Sequence, residues 1–259
     1  MKLSYFPPFF AAYAVFLAVV LGLVFGSFGN AWAWRIVHHE RISHGRSHCP
    51  VCGHTLTARD LVPLLSYLFL HGKCRYCGAP IARRYPAVEA ICALFFLTAL
   101  LRCGISLALV RFLLMGFFLM VAALVDCDTM ELPDGLLLAA ACASLLRLFE
   151  DAGAWKAMLR GALIVPAVLL LLVLLMDKLK GYETMGGGDI KLLAAVGLHF
   201  DAPEMLLLLI FACVLGLVFA AAQKRGKSAP FPFGPMLVLS AWLVLLCGAP
   251  LLSWYLSLF

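Results

Sequence analysis

Eight apolar runs, each bounded by a few polar or helix-breaking residues, govern what this chain can become. They cover 9–34, 86–101, 105–125, 135–148, 158–176, 189–200, 203–223 and 234–258. A helix needs roughly 20 apolar residues to cross the hydrocarbon of a bilayer. Inside that layer only helices or closed barrels satisfy their own backbone groups. Composition agrees: 64% of the 259 residues are hydrophobic and 13% are charged, where a soluble domain carries about a quarter. The expectation is an all-α polytopic membrane protein with about eight transmembrane helices. Two runs are short. As a helix, 189–200 would reach only about 18 Å, so it either continues from a broken segment or dips in incompletely. Broken helices at membrane depth line protein-bounded or wet cavities, which marks this run as a candidate site. The first run has only Lys2 before it and is too long for the apolar core of a signal peptide, so it reads as a retained span.

Basic residues orient the bundle. The segment from Arg35 to Tyr85 carries eight Lys and Arg residues, and alternation of eight spans adds Lys178, Lys180, Lys224, Arg225 and Lys227 to the same side. The other side keeps Lys2, Arg102, Arg147, Lys156 and Arg160. The richer side is expected in the cytoplasm, with both termini outside. The net charge of +6 is then a topology signal, and no nucleic-acid partner is inferred from it. Three parts are expected: a first transmembrane helix at 1–34, a cytoplasmic loop domain at 35–85 and a helical membrane domain at 86–259. Gly26, Ser27, Gly29 and Asn30 at the cytoplasmic end of the first run suggest a close-packing face.

The loop domain carries Cys49-Pro-Val-Cys52-Gly and Cys74-Arg-Tyr-Cys77-Gly, with 21 residues between the two pairs. Two such knuckles supply a tetrahedral set of four thiolates for Zn²⁺. Disulfides and free buried thiols are the alternatives, and a cytosolic loop disfavours the first of them. All four positions filled points to a structural, ribbon-like zinc. His48, His54 and His71 are expected on the ribbon surface. The other six cysteines show no pairing pattern and read as small core residues.

Acids are scarce, so their placement matters. The third run ends in Asp126, Asp128, Glu131 and Asp134 with no base among them. Pro133 ends any helix before it, and Asp134 is expected to cap the next helix. Asp126 lies deepest, at a helix C-terminus where the dipole disfavours a negative charge. Such a placement calls for an explanation, and a partner acid across the bundle is one. The counterpart is Gly186-Gly187-Gly188-Asp189. Three glycines suggest an irregular, wet break with positive φ and close backbone approach, with Asp189 at the start of a helix. Arg111, inside a span, is expected to face the protein interior.

Taken together these residues resemble the type IV prepilin peptidases, the GxGD-type aspartic membrane proteases. The resemblance rests on Asp126-x5-Leu132-Pro133-Asp134 and Gly186-x-Gly188-Asp189-x-Lys191-Leu192. The cysteine loop, Gly26-Ser27-Phe28-Gly29-Asn30 with Arg35, and Pro232-Phe233-Gly234-Pro235 also match, in the same order. Gly29 and Trp32 are unusual choices within the first-span motif. The resemblance implies that Asp126 and Asp189 are the catalytic pair, one ionised to activate water and one protonated to support the scissile carbonyl. It implies type IV prepilins or type II secretion pseudopilins as substrates, cut after a Gly at the cytoplasmic face of the bacterial inner membrane. It also implies N-methylation of the new terminus from S-adenosylmethionine. No stretch independently shows a methyl-donor pocket. Asp128, Glu131 and Asp134 would attract the basic leader of the substrate, or form only a solvated acidic turn. Two rival readings are a zinc-ribbon membrane scaffold whose acids cap helices, and a proton-coupled transporter using the same acids.

Overall fold

A computed structural model describes residues 5–41, 45–182, 185–222 and 231–258. Lys2 and the basic cluster Lys224, Arg225 and Lys227, on which the orientation partly rests, lie outside the described residues. The chain divides into two compact units, Met1–Ile105 and Ser106–Phe259.

The first unit pairs two long helices, α1 (Pro8–Val37) and α3 (Arg84–Cys103), with the cysteine loop and the short helix α2 (Leu65–Phe69) between them. The expected close-packing face is real and begins a turn earlier than the motif. A methyl group on Gly22 would lie 2.5 Å from the Ala93 Cα, and one on Gly26 would lie 2.8 Å from the Glu89 Cα. Absent side chains thus let α1 and α3 touch backbone to backbone, and Asn30 is buried on the same stripe.

In the second unit, α4 (Leu107–Thr129) is followed by α5 (Asp134–Ala143) and the short α6 (Leu146–Glu150). Then come α7 (Trp155–Lys180), α8 (Gly187–Gly197), α9 (Ala202–Ala222) and α10 (Gly234–Leu256). Each of the eight apolar runs is mainly helical over its described residues. Among the described residues six helices, α1, α3, α4, α7, α9 and α10, are long and apolar enough to cross a membrane. The two short runs are α5 with α6, and α8. The outward faces of α7 and α9, with Leu171 and Leu217 among them, expose long aliphatic side chains, as lipid requires. The chain is a multi-pass membrane protein.

Packing in this unit holds α8 inside the bundle. Leu192, Leu193 and Val196 are fully buried, a spacing that gives α8 one apolar face. Gly161 of α7 and Gly197 of α8 meet without side chains, so the two helices cross closely. Arg111 is buried as expected: its Nε reaches Glu150 Oε1 at 3.2 Å, and its Nη1 donates to the His199 carbonyl at 3.2 Å. That network ties the first turns of α4 to the last residue of α6 and to the segment just beyond α8. The opposite ends, carrying Asp126 and Asp189, are left facing each other.

Candidate active site and cysteine centre

Asp126 sits in the last turn of α4, 5% exposed. Its compensation comes from a source that the sequence did not reveal. The backbone N–H of Gly234, the first residue of α10, donates to Asp126 Oδ2 at 3.0 Å. Free N–H groups at a helix start and the positive end of its dipole suit a carboxylate. The glycine is required there, because a methyl group on Gly234 would lie 2.7 Å from that same oxygen. Pro232 and Pro235 flank the turn, and Pro235 is fixed in the first turn of α10, where a missing N–H does no harm.

Beyond Asp126 the chain stops abruptly. Met130 takes a left-handed conformation, φ 58, and closes α4. Asp128 is therefore helical rather than part of the turn, which is confined to 130–133. Pro133 occupies the capping position expected of Asp134, which is instead the first residue of α5. Its carboxylate receives Lys191 Nζ at 2.8 and 3.0 Å. Both side chains are largely exposed, so the pair contributes little to stability; it links the α4–α5 turn to α8.

The glycine segment departs from expectation in an instructive way. Only Gly186 is extended, with φ −67 and ψ 137; Gly187 and Gly188 already form the first turn of α8. None of the three has positive φ, whereas Gly181 does, at φ 74. Gly188 is needed for room instead: a methyl there would lie 3.3 Å from Leu132 Cβ. Gly187 has open space beside it. Asp189 is thus the third residue of α8, where N-terminal N–H groups are free. It lies outside the six crossing helices, and burial together with the nearby Asp126 charge pushes its carboxyl up to about 6.

Asp126 and Asp189 line one open cavity of about 350 Å³. Met130, Glu131, Leu132, Asp134, Gly186, Gly187, Gly188 and Lys191 complete its wall. Of the three acids considered for leader binding, Glu131 and Asp134 are on this wall and Asp128 is not. Two carboxyls facing one small space cannot both ionise cheaply. The cavity has glycine backbone on one side and solvent access on the other.

The cysteine centre is in the first unit. Cys49 and Cys74 are buried, Cys52 and Cys77 exposed. The four Sγ atoms lie within 4.8 Å of one another, with Cys49 and Cys77 at 3.9 Å. Tetrahedral Zn–S bonds of about 2.3 Å put sulfurs roughly 3.8 Å apart, so the donor set fits zinc. Each knuckle closes identically: Gly53 N–H donates to the Cys49 carbonyl at 2.8 Å, and Gly78 N–H to the Cys74 carbonyl at 2.9 Å. Gly53 and Gly78 have φ of 69 and 73. Backbone N–H groups of Cys52 and Val51 draw the Cys49 thiol down to about 6, towards the thiolate that a metal needs. The only regular pairing of strands among the described residues is two isolated bridges, His48 with Thr55 and Lys73 with Pro80. The loop is therefore a repeat with a 25-residue offset, visible in Ser47–Leu56 against Gly72–Ile81 but easily missed because only the cysteines and glycines recur.

Asp60 organises the insert between the knuckles. It accepts from Thr57 N–H at 3.0 Å, Thr57 Oγ1 at 2.7 Å, Arg75 Nε at 2.6 Å and Tyr76 Oη at 3.0 Å. Burial would raise its pKa, but these four donors outweigh it and hold the carboxyl well below the usual range.

The family model for the bacterial peptidase A24 N-terminal domain matches residues 20–103, and the type IV leader peptidase family model matches residues 112–221. The chain is 34% identical to a prepilin leader peptidase/N-methyltransferase of Bacillus subtilis, over 92% of this chain and 96% of the relative. A protein of the same description from Aeromonas hydrophila is 37% identical over 83% and 76% of the two lengths. One from Stutzerimonas stutzeri is 32% identical over 94% of each. No solved structure matches the chain.

Proposed function

Because the chain belongs to the type IV leader peptidase family, we propose that it is an aspartic endopeptidase that cuts leaders from type IV prepilins or type II secretion pseudopilins. It then methylates the amine released. The observation that carries the reading is the convergence of Asp126 and Asp189 on one open, glycine-edged cavity. The pair shares a single proton. One carboxylate takes a proton from water as the water attacks the scissile carbonyl, and the protonated partner donates to the carbonyl oxygen. The proton then passes to the departing amine. The raised pKa of Asp189 suits it to hold the shared proton near neutral pH, although the titration belongs to the pair. Gly234 N–H fixes one oxygen of Asp126, which leaves the other to meet water.

The substrate reading follows from the wall. Gly186 and Gly187 leave backbone exposed, so an extended peptide with a small residue before the scissile bond can lie close. Glu131 and Asp134 supply negative charge for a basic leader, and Lys191 offsets part of it. In this reading the acid cavity faces the cytoplasm of a bacterial cell and the bundle lies in the inner membrane, and the Lys and Arg bias supports that orientation. Cys49, Cys52, Cys74 and Cys77 would hold Zn²⁺ and so close the loop at 35–85; four thiolates would fill a tetrahedral set, which suits a structural role. Bound S-adenosylmethionine would supply an electrophilic methyl group.

Mass spectrometry of a co-expressed prepilin reads cleavage and N-methylation together. Asp126→Asn and Asp189→Asn should each abolish cleavage, and the double variant should be no worse than either single. Residual rates that multiply across the two singles would contradict a pair acting as a unit.

A further inference from the structure

Three of the five residues of α2 turn apolar side chains away from the protein. Leu65, Leu68 and Phe69 are 51%, 65% and 79% exposed, and their i, i+3, i+4 spacing puts them on one helical face. Leu61 and Val62, just before α2, are exposed as well. The inward positions are Ser66 and Tyr67, both half-buried. A helix on the surface of a soluble protein has the opposite arrangement, with its apolar stripe towards the core. Contiguous apolar surface of this kind marks a face that binds a partner or a membrane.

Glu89 fixes the level at which this face sits. Its Oε2 accepts from the Leu64 backbone N–H at 2.7 Å. Glu89 is in the second turn of α3, which begins at Arg84, so Leu64 is held about 7.5 Å along the helix from that end. Both α1 and α3 are long and apolar enough to cross the bilayer, and the loop joins their ends at one membrane face. An amphipathic helix lying in a membrane surface places its apolar side about 5–10 Å into the boundary between headgroups and acyl chains, and the tether at Glu89 holds α2 at that depth. The bend beside it is strained. Leu64 adopts φ 57 and ψ −48, and Leu65 N–H donates to the Pro63 carbonyl at 2.6 Å, a γ-turn of the rare hand. A leucine keeps such a conformation only where its surroundings impose it.

Charge identifies the kind of lipid. Asp60 is the only acid between Thr57 and Tyr85, and Arg75 occupies it at 2.6 Å. Arg59, Lys73 and Arg83 are exposed. Arg59 stands two residues before Leu61, and Lys73 N–H donates to the Leu70 carbonyl at 3.0 Å, so bases flank the apolar face. Basic residues at a membrane surface are drawn to anionic headgroups. We propose that the insert between the cysteine knuckles is an interfacial anchor: Leu65, Leu68 and Phe69 enter the lipid at the headgroup boundary, and Arg59 and Lys73 meet anionic headgroups. The anchor holds the cysteine loop against the membrane. The inference needs only that α1 and α3 cross the bilayer, and it stands or falls separately from the catalytic reading.

The test uses full-length, zinc-loaded protein in nanodiscs of phosphatidylcholine and phosphatidylglycerol. Phe69→Cys, in a background lacking the cysteines outside the zinc centre, carries a nitroxide. Power saturation reads its collisions with oxygen, which enters lipid, and with a nickel chelate, which stays in water. Oxygen should reach the label and the chelate should be excluded roughly tenfold relative to the same protein's water-exposed loops. Free access of the chelate overturns the proposal. Protection from both reagents also overturns it, by showing that protein covers the face, whether another part of this chain or a second copy. Replacing phosphatidylglycerol by phosphatidylcholine should raise chelate access about twofold; no change overturns the role given to Arg59 and Lys73. A second measurement needs no label. In the mixed-lipid nanodiscs, trypsin should cut after Arg59 and Lys73 roughly tenfold faster in a Leu65→Ser, Leu68→Ser, Phe69→Ser variant than in wild type, with zinc content unchanged. Equal cutting rates overturn the anchor.

Discussion

At the scale of single residues, the position with the sharpest consequence is Gly234, which is neither acid nor base. A methyl group there needs the space that Asp126 Oδ2 occupies. The turn between Pro232 and Pro235 gives the backbone little room to retreat. Gly234→Ala should therefore displace a reacting carboxyl by a fraction of an ångström to an ångström and lower kcat for leader cleavage by on the order of 10²-fold. KM should change little, because the substrate wall is untouched. Steady-state kinetics on a purified prepilin decides this; Gly135→Ala, beside open space, is the control. Asp189 carries a second expectation. Burial and the nearby Asp126 charge push its carboxyl up to about 6 in the folded protein, against about 3.9 in an unfolded chain. The folded state thus binds that proton more tightly. The associated stability is complete below the unfolded value and is lost as pH rises through 6. Asp189→Asn, which cannot ionise, should consequently melt higher than wild type above pH 6 and show no such advantage below pH 4. A thermal melt series in detergent measures it.

At the scale of elements, legibility tracked how local the cause was. The two cysteine knuckles could be read directly because each is a five-residue unit with its own glycine, and the four Sγ atoms do converge. The apolar runs became helices because bilayer chemistry leaves almost no alternative. What the chain alone hid were contacts between distant segments: Gly234 with Asp126, Leu132 with Gly188, and Leu64 with Glu89. Consecutive glycines were read as a break, yet Gly187 and Gly188 are helical because a first turn lacks internal N–H bonds in any case, and burial of Leu192 and Leu193 fixes the helix behind it. The correction changes an experiment. Gly188→Val should impair cleavage through collision with Leu132, whereas Gly181→Val should strain a left-handed residue at the end of α7 without touching the cavity. The contrast is read as cleavage rate against melting temperature: loss mainly of rate at 188, loss mainly of stability at 181. For the knuckles, Cys74→Ser should reduce bound zinc from about one per chain to near none. Elemental analysis of purified protein checks it, and full zinc in a variant lacking both Cys74 and Cys77 would refute the site.

At the scale of the whole molecule, the question is which side of the membrane the acids face. Hydrocarbon thickness decides which helices can cross, but it is blind to direction. Direction comes from the excess of Lys and Arg. With eight crossings, as the sequence is read, Lys178 and Lys180 at the end of α7 fall on the same side as the Lys and Arg of the 35–85 loop, and that side is expected in the cytoplasm. A leader cut before export would meet an active site on that side, and neither carboxyl would need to approach the bilayer centre, where ionisable groups are costly. Gly187 offers a probe, because it lines the acid cavity and has open space beside it. Gly187→Cys, in a background lacking Cys127, Cys142 and Cys213, the exposed thiols outside the cysteine centre, should react with a membrane-impermeant maleimide in inverted vesicles. It should stay unmodified in intact cells. Lys180→Cys, exposed at the end of α7 and assigned to the same side, should label in parallel. Modification of the 187 thiol from outside intact cells would reverse the orientation. Silence at 187 in inverted vesicles, while 180 labels well, would mean that water does not reach the acid pair.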